Sequence, residues 1–172
     1  PINNKVGLSF ELVLKNILRQ DPDIIFIGEI RDKFSLDIAL QASLTGHLVL
    51  ASIHSSSSVE TITRLIDLKA DPFLISTTLK AVMAQRLVLA HCKSCENGCK
   101  KCNFTKFYDR TSISEILKVD EQISSLIFNK ASFNELKEYL KNINFKTMLD
   151  DGKQKVKDGL TTLEEVYKVV NF

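Results

Sequence analysis

The chain has 172 residues, 44% hydrophobic and 26% charged, with 23 basic against 21 acidic side chains and a net charge of +2. That composition belongs to a folded globular protein of one domain, or of one domain with a small appendage. It excludes a disordered, collagen-like or membrane-spanning chain, since no apolar run nears the roughly 20 residues a bilayer needs, and the charge is too small to argue for nucleic acid or an anionic membrane.

The opening PINNKVGLSF has no basic n-region and no long apolar core, so no secretory signal is expected. It lacks an initiator Met, which fits a chain processed or cut from something longer. Phe10, Val13, Leu14, Ile17 and Leu18 recur at the spacing of one helical face. Asp21-Pro22 stops that helix, because a residue before proline is pushed out of the helical region. Ile24 to Ile27 is a continuous apolar run, expected of a strand covered on both faces. Ser35 to Leu44 reads as a helix stopped at Gly46, and Leu48 to Ile53 as a second apolar strand. Ser57-x-x-Glu60 is a capping-box pattern opening a helix with Val59, Ile62, Leu65 and Ile66 on one side. Pro72 begins another helix, and Leu87 to Ala90 reads as a further strand. Strands alternating with helices over short links predict an α/β fold around a parallel sheet.

After the cysteines the pattern changes. Ser112 to Leu117 reads as one strand, and the remainder as short helices. Ser132-x-x-Glu135 and Thr161-x-x-Glu164 are two more capping-box patterns, the last opening a helix striped by Leu163, Val166, Tyr167 and Val170. Core packing accounts for these stripes, with a partner-docking surface as the alternative. The expected division is 1–90 for an α/β core, 91–107 for a four-cysteine knuckle and 108–172 for a mostly helical subdomain.

The most informative stretch is DPDIIFIGEIRD, Asp21 to Asp32. A buried strand there delivers Gly28-Glu29 at its carboxyl end, where ligands bind in open α/β sheets. A carboxylate at that place holds Mg²⁺ through water or orients the water that attacks a terminal phosphate, and Gly28 leaves room beside it. A solvated turn formed by Glu29, Arg31 and Asp32 after a core strand is the plain alternative. In TGHLVLASIHS, Thr45 to Ser55, a second strand ends near His54, which is suited to donate a hydrogen bond to a γ-phosphate oxygen. His47 precedes the strand at its opposite end and reads as structural.

The four cysteines, Cys92, Cys95, Cys99 and Cys102, form two Cys-x-x-Cys pairs inside eleven residues. Such packing argues against a distributed disulfide framework and for a reduced compartment, the cytoplasm by default. Four thiolates are the ligand set of a closed structural Zn²⁺ site. An iron–sulfur cluster, free thiols or disulfides formed after metal loss are the other readings. The intervening residues are too polar to order the loop by packing, so a metal cross-link would supply that order.

LRQDPDIIFIGEIRD followed at this separation by TGHLVLASIHS resembles the Walker B and histidine boxes of the secretion ATPases. These are the type II secretion and type IV pilus assembly motors (GspE/PilB-like), a branch of the RecA-fold traffic ATPases. The resemblance continues through ITRLIDL, PFLISTTLKAVMAQRLV and the paired cysteines to DDGKQKVKDGLTTLEEVYKVV, nearly the whole chain.

The resemblance implies a partial RecA-like nucleotide-binding core with a zinc knuckle and a helical C-terminal subdomain. It implies that Glu29 is the catalytic glutamate and that His54 senses the γ-phosphate. Gly28, Arg31 and Arg19 would lie on the nucleotide side, the two arginines closing the site or pairing with acids such as Asp23 and Asp32. ATP with Mg²⁺, and Zn²⁺ on the four cysteines, are the implied cofactors. A homo-hexamer working on an inner-membrane platform protein, cytoplasmic and peripheral to the membrane, is the implied setting, with no direct nucleic-acid contact.

The departures are equally specific. No G-x-x-x-x-G-K-[ST] phosphate loop occurs, none of the 6 glycines precedes a Lys-Ser/Thr pair, and the family's acidic box is missing. Only Glu96-Asn97-Gly98 separates the cysteine pairs, a shorter excursion than the family's, and KFYDR lacks the glycine usual after the last cysteine. The expectation is therefore the C-terminal portion of a longer motor, inactive alone because the nest and lysine that hold the β- and γ-phosphates are lacking. Two rivals stand beside it. One is a zinc-containing partner-binding module without catalysis; the other is a fragment of a DNA-handling RecA-type ATPase, against which near neutrality and 8% aromatics speak.

Overall fold

A computed structural model describes residues 10–17 and 20–170. In chain order the elements are α1 (Phe10–Ile17), β1 (Ile24–Ile27), α2 (Lys33–Leu44), β2 (Leu48–Ala51), α3 (Ser58–Asp67), α4 (Pro72–Thr78), β3 (Ala81–His91), β4 (Phe107–Lys118), α5 (Glu121–Phe128), α6 (Phe133–Asn142), α7 (Met148–Lys157) and α8 (Leu163–Val170). They divide into two compact units, one running to Lys80 and including Val119–Glu138, the other comprising Ala81–Lys118 and the chain from Tyr139.

In the first unit β1 and β2 pair in parallel, Ile24 opposite Leu48 through Ile27 opposite Ala51, joined by the crossover helix α2. Asp32 starts α2 by accepting the Ser35 N–H at 2.7 Å, which satisfies one of the free amides of a first helical turn. Ser57 starts α3 in the same manner, accepting the Glu60 N–H at 3.2 Å. The reciprocal arm differs from the expected box, since Glu60 reaches back to the Ser56 N–H at 2.6 Å. Asp71 caps α4 ahead of Pro72, whose fixed φ suits a first helical position.

The strands are less covered than their composition predicts. Ile25 and Ile27 are buried, whereas Ile24 and Phe26 are 60% and 73% exposed, and Leu48 and Leu50 share the open side. An apolar run signals burial on both faces; among the described residues of this unit only one face is covered.

The second unit is built on a long hairpin. The sequence suggested a short strand at 87–90 and another at 112–117; the observed β3 and β4 run 11 and 12 residues. They pair antiparallel from Ala81 opposite Lys118 to Leu89 opposite Arg110, with an irregularity between Leu89 and His91. β3 therefore does not extend the parallel sheet. Its outer reach is masked in the sequence because Ala81, Ala84 and Gln85 dilute the apolar alternation that marks a half-buried strand.

One face of the hairpin packs on α7 and α8 around Ala84, Val88, Ile113, Met148 and Val166. Gly152 allows this approach: a Cβ there would sit 2.5 Å from Val166 Cγ1. Thr161, expected to cap α8, instead donates its hydroxyl to the Leu89 carbonyl at 2.7 Å, while Thr162 accepts the Glu165 N–H. A further box, Thr147 with Asp150, opens α7. No helix among the described residues is long and apolar enough to cross a membrane.

Candidate functional site

Because β1 and β2 are parallel, both carboxyl ends emerge at the same edge. The chains run on beside each other past the strands: Ser52 N–H donates to Ile27 O at 3.3 Å and Ile30 N–H to Ser52 O at 2.8 Å. The Ser52 hydroxyl also donates to the Gly28 carbonyl. This stitching brings together two residues 25 positions apart, and Nε2 of His54 lies 3.0 Å from Oε1 of Glu29.

Glu29 is held from its other side too. Nε of Arg31 donates to Oε2 at 2.7 Å and the guanidinium Nη2 lies 2.5 Å from the same oxygen. That hydrogen bond keeps the Glu29 carboxyl below its usual range; partial desolvation opposes it, and the fields of Arg31, His54 and Arg64 add smaller pulls in the same direction as the bond. Glu29 is accordingly an ionised acceptor, and the facing His54 Nε2 carries the proton of the contact. The Glu29 side chain is 22% exposed and that of His54 84%, so the pair opens outward. Beside Gly28 the space is empty: a Cβ placed there would meet nothing within 4 Å.

Arg31 pairs with Glu29 and not with Asp32, whose carboxylate is committed to the start of α2; donation from the Ser35 backbone lowers its pKa. Arg19 lies outside the described residues. His47, at the far end of β2, bonds through Nδ1 to the Ala42 carbonyl at 2.9 Å and closes the α2–β2 connection. Arg64 is the charged residue that motif reading passed over. It sits on α3, the helix that starts four residues after His54, and its positive charge reaches Glu29. The signal available was the short link from His54 into a helix that carries a basic residue in its second turn.

In the second unit Cys92, Cys95, Cys99 and Cys102 converge, their sulfurs all within 4.8 Å of one another. Individual Sγ–Sγ separations are 4.0 Å for Cys92–Cys99, 3.6 Å for Cys95–Cys102 and 3.8 Å for Cys99–Cys102. A tetrahedron with Zn–S bonds of about 2.3 Å has sulfurs roughly 3.8 Å apart, so the four thiols fit a closed four-thiolate site. The Cys99 N–H donates to Cys102 Sγ at 3.2 Å, the main cause that holds the Cys102 thiol down to about 6. Desolvation, with the neighbouring thiols, pushes Cys95 up to about 12.

The chain around these sulfurs bends sharply. Asn103, Phe104, Lys106 and Asp109 all have left-handed φ, between 49° and 73°. Such residues persist where their surroundings fix them, each costing on the order of 1 kcal/mol or more. Gly98, at φ 103°, is forced as well, since a Cβ would meet the Phe104 carbonyl oxygen at 2.9 Å. The cluster could hold a metal ion.

Residues 1–168 match the family model described as "Type II/IV secretion system protein". The chain is 41% identical to the type II secretion system protein HxcR of Pseudomonas aeruginosa, over 98% of this chain and 38% of that protein. It is 38% identical to the type II secretion system ATPase E of Vibrio cholerae with the same coverages, and to the type IV pilus assembly ATPase PilB of Thermus thermophilus, over 96% of this chain and 22% of that protein. Among solved structures, the pilus retraction motor PilT with bound ADP superposes with a TM-score of 0.74 at 29% identity, over 94% of this chain and 43% of that one. The chain thus spans well under half the length of these relatives. By its match across almost every residue, it belongs to the type II/IV secretion system protein family.

Proposed function

We propose that this chain is the C-terminal portion of a motor ATPase that powers type II protein secretion or type IV pilus assembly. The observation that carries the reading is the 3.0 Å contact between His54 and Glu29 at the carboxyl ends of adjacent parallel strands, the ligand-binding edge of an α/β sheet. ATP bound with Mg²⁺ would supply the anhydride and the charge-neutralising metal. Of this chain's own groups, Glu29 is ionised and able to orient a water, and His54 offers an N–H to phosphate oxygen. Arg31 keeps Glu29 charged and fixes its rotamer. Arg64 adds positive charge to the same edge, and Arg19 is assigned to the nucleotide side.

The four cysteines would hold one Zn²⁺ as a structural clamp. The longer protein works in the cytoplasm as a homo-hexamer against an inner-membrane platform protein. The 172 residues lack a phosphate loop, so they do not hydrolyse ATP alone. The test is Glu29→Gln in the longer protein that contains this segment: nucleotide binding is retained and turnover falls by about 10²–10⁴-fold, as expected for removal of a group acting on the transferred proton or water. Turnover within twofold of the parent would reject the assignment of Glu29.

A further inference from the structure

Beside the knuckle, within the second unit, lies a cavity of about 450 Å³ that the motor reading leaves without a use. Its size falls within the roughly 300–1,000 Å³ of small-molecule sites. Four stretches wall it: the end of β3 running on to Lys93, Lys101 of the knuckle, the β4 segment from Tyr108, and the Gly159-Leu160 corner between α7 and α8. The walls are fixed to one another. His91 donates from Nδ1 to the Gly159 carbonyl at 2.9 Å, its N–H bonds the Leu160 carbonyl, and its ring stacks on Phe107 at 5.5 Å.

Three cations line this space, Lys93, Lys101 and Arg110. Among the described residues none of the three has a carboxylate partner, whereas Arg31, Lys33, Lys155 and Lys168 each pair with one. The one acid in the lining, Asp109, is turned to its neighbour and accepts the Arg110 backbone N–H at 2.8 Å. Lys101 is pre-positioned over the Tyr108 ring, 4.8 Å from its centroid. Three cations outnumber the single carboxylate of Asp109 in this lining and repel one another, and an anion between them relieves that repulsion.

We propose that this cavity binds a phosphate-bearing small ligand, its phosphate held by Lys93, Lys101 and Arg110 and its organic part against Tyr108 and Leu160. Arg110 supplies a planar fork matched to phosphate oxygens, and the two lysines supply point charges. Lys93 and Lys101 adjoin Cys92 and Cys102, so the knuckle that places the sulfurs also places two of the three cations. A soluble phosphate ester and a phospholipid headgroup share this chemistry.

The experiment is calorimetric titration of the zinc-loaded 172-residue chain with pyrophosphate, and in parallel with vesicles of phosphatidylglycerol or phosphatidylcholine. Saturable binding of pyrophosphate near one per chain is expected, weakened about tenfold or more by Arg110→Gln and by Lys101→Gln, the loss of a hydrogen bond to a charged group. Lys137→Gln, on α6, is expected to leave it unchanged. Binding only to phosphatidylglycerol vesicles, with the same sensitivity to the two variants, assigns the phosphate to a headgroup; pyrophosphate binding assigns it to a soluble ester. No saturable binding in either arm overturns the proposal. So does binding that the two variants leave intact. If the variants reduce zinc content while zinc-loaded molecules bind as before, the cations serve only to screen the thiolates and the proposal falls.

Discussion

His54 Nε2 lies 3.0 Å from Glu29 Oε1, although α2 and β2 separate the two residues in sequence. The contact exists because the crossover through α2 returns the chain parallel to itself, so that consecutive strand ends become neighbours. Arg31 occupies the second carboxylate oxygen, and the three side chains form one hydrogen-bonded group. In this state each carboxylate oxygen of Glu29 has a partner, His54 on Oε1 and Arg31 on Oε2.

Arg31→Ala should therefore raise the Glu29 pKa toward its usual value, since the largest cause of its depression is removed. A depressed carboxyl contributes its ion-pair stabilisation above its ordinary pKa and loses it as pH falls through the lowered one. The contribution is consequently present at neutral pH and lost only in acid. Carbon-detected NMR titration of the Glu29 side chain reads the shift directly, and an unchanged value in the variant contradicts the assigned cause.

Metal loading should reach about one Zn²⁺ per chain, with loss on chelation loosening the segment from Cys92 to Asp109, where several left-handed residues cluster. Because thiolates bind and thiols do not, zinc binding releases protons and zinc affinity should fall as pH drops. Elemental analysis of freshly reduced protein, and hydrogen exchange before and after chelation, check both statements. Metal-free protein with unaltered protection across this segment contradicts them.

Gly152→Ala should destabilise the second unit by about 1–3 kcal/mol, the usual cost of forcing an added methyl into a packed contact. The collision is with Val166, which is itself fully buried. A double variant with Val166→Ala should recover part of the loss, because it removes the colliding methyls while opening a void of its own. Chemical denaturation of the four proteins gives the coupling, and strict additivity would argue against this contact.

Much of the first unit is legible in the sequence because local rules agree there. IIFI carries an unmistakable strand, Asp32 and Ser57 precede helices with side chains able to cap them, and a parallel crossover follows from the lengths between. The pairing of Glu29 with His54 follows from that order. Its third member does not: Arg31 had Asp32 as a neighbour of opposite sign, and only the backbone direction after β1 decides for Glu29. In the second unit the cysteine spacing announces the sulfur cluster, while the hairpin length depends on tertiary burial of small residues such as Ala84. Thr161 and Thr162 illustrate the same limit. Both are competent caps, and the nearby Leu89 carbonyl takes the first, leaving the second to the helix.

On the proposed function, these residues form the Glu29 and His54 side of an ATP site whose phosphate-holding side is supplied by other parts of a longer motor. The most direct measurement is Mg-ATP hydrolysis by the 172-residue chain, before and after adding a separately purified segment that carries the phosphate loop of a family relative. No turnover by the chain alone is expected, and turnover on complementation that Glu29→Gln lowers by about 10²–10⁴-fold. Steady hydrolysis by the isolated chain, proportional to its concentration in a clean preparation, would contradict this assignment.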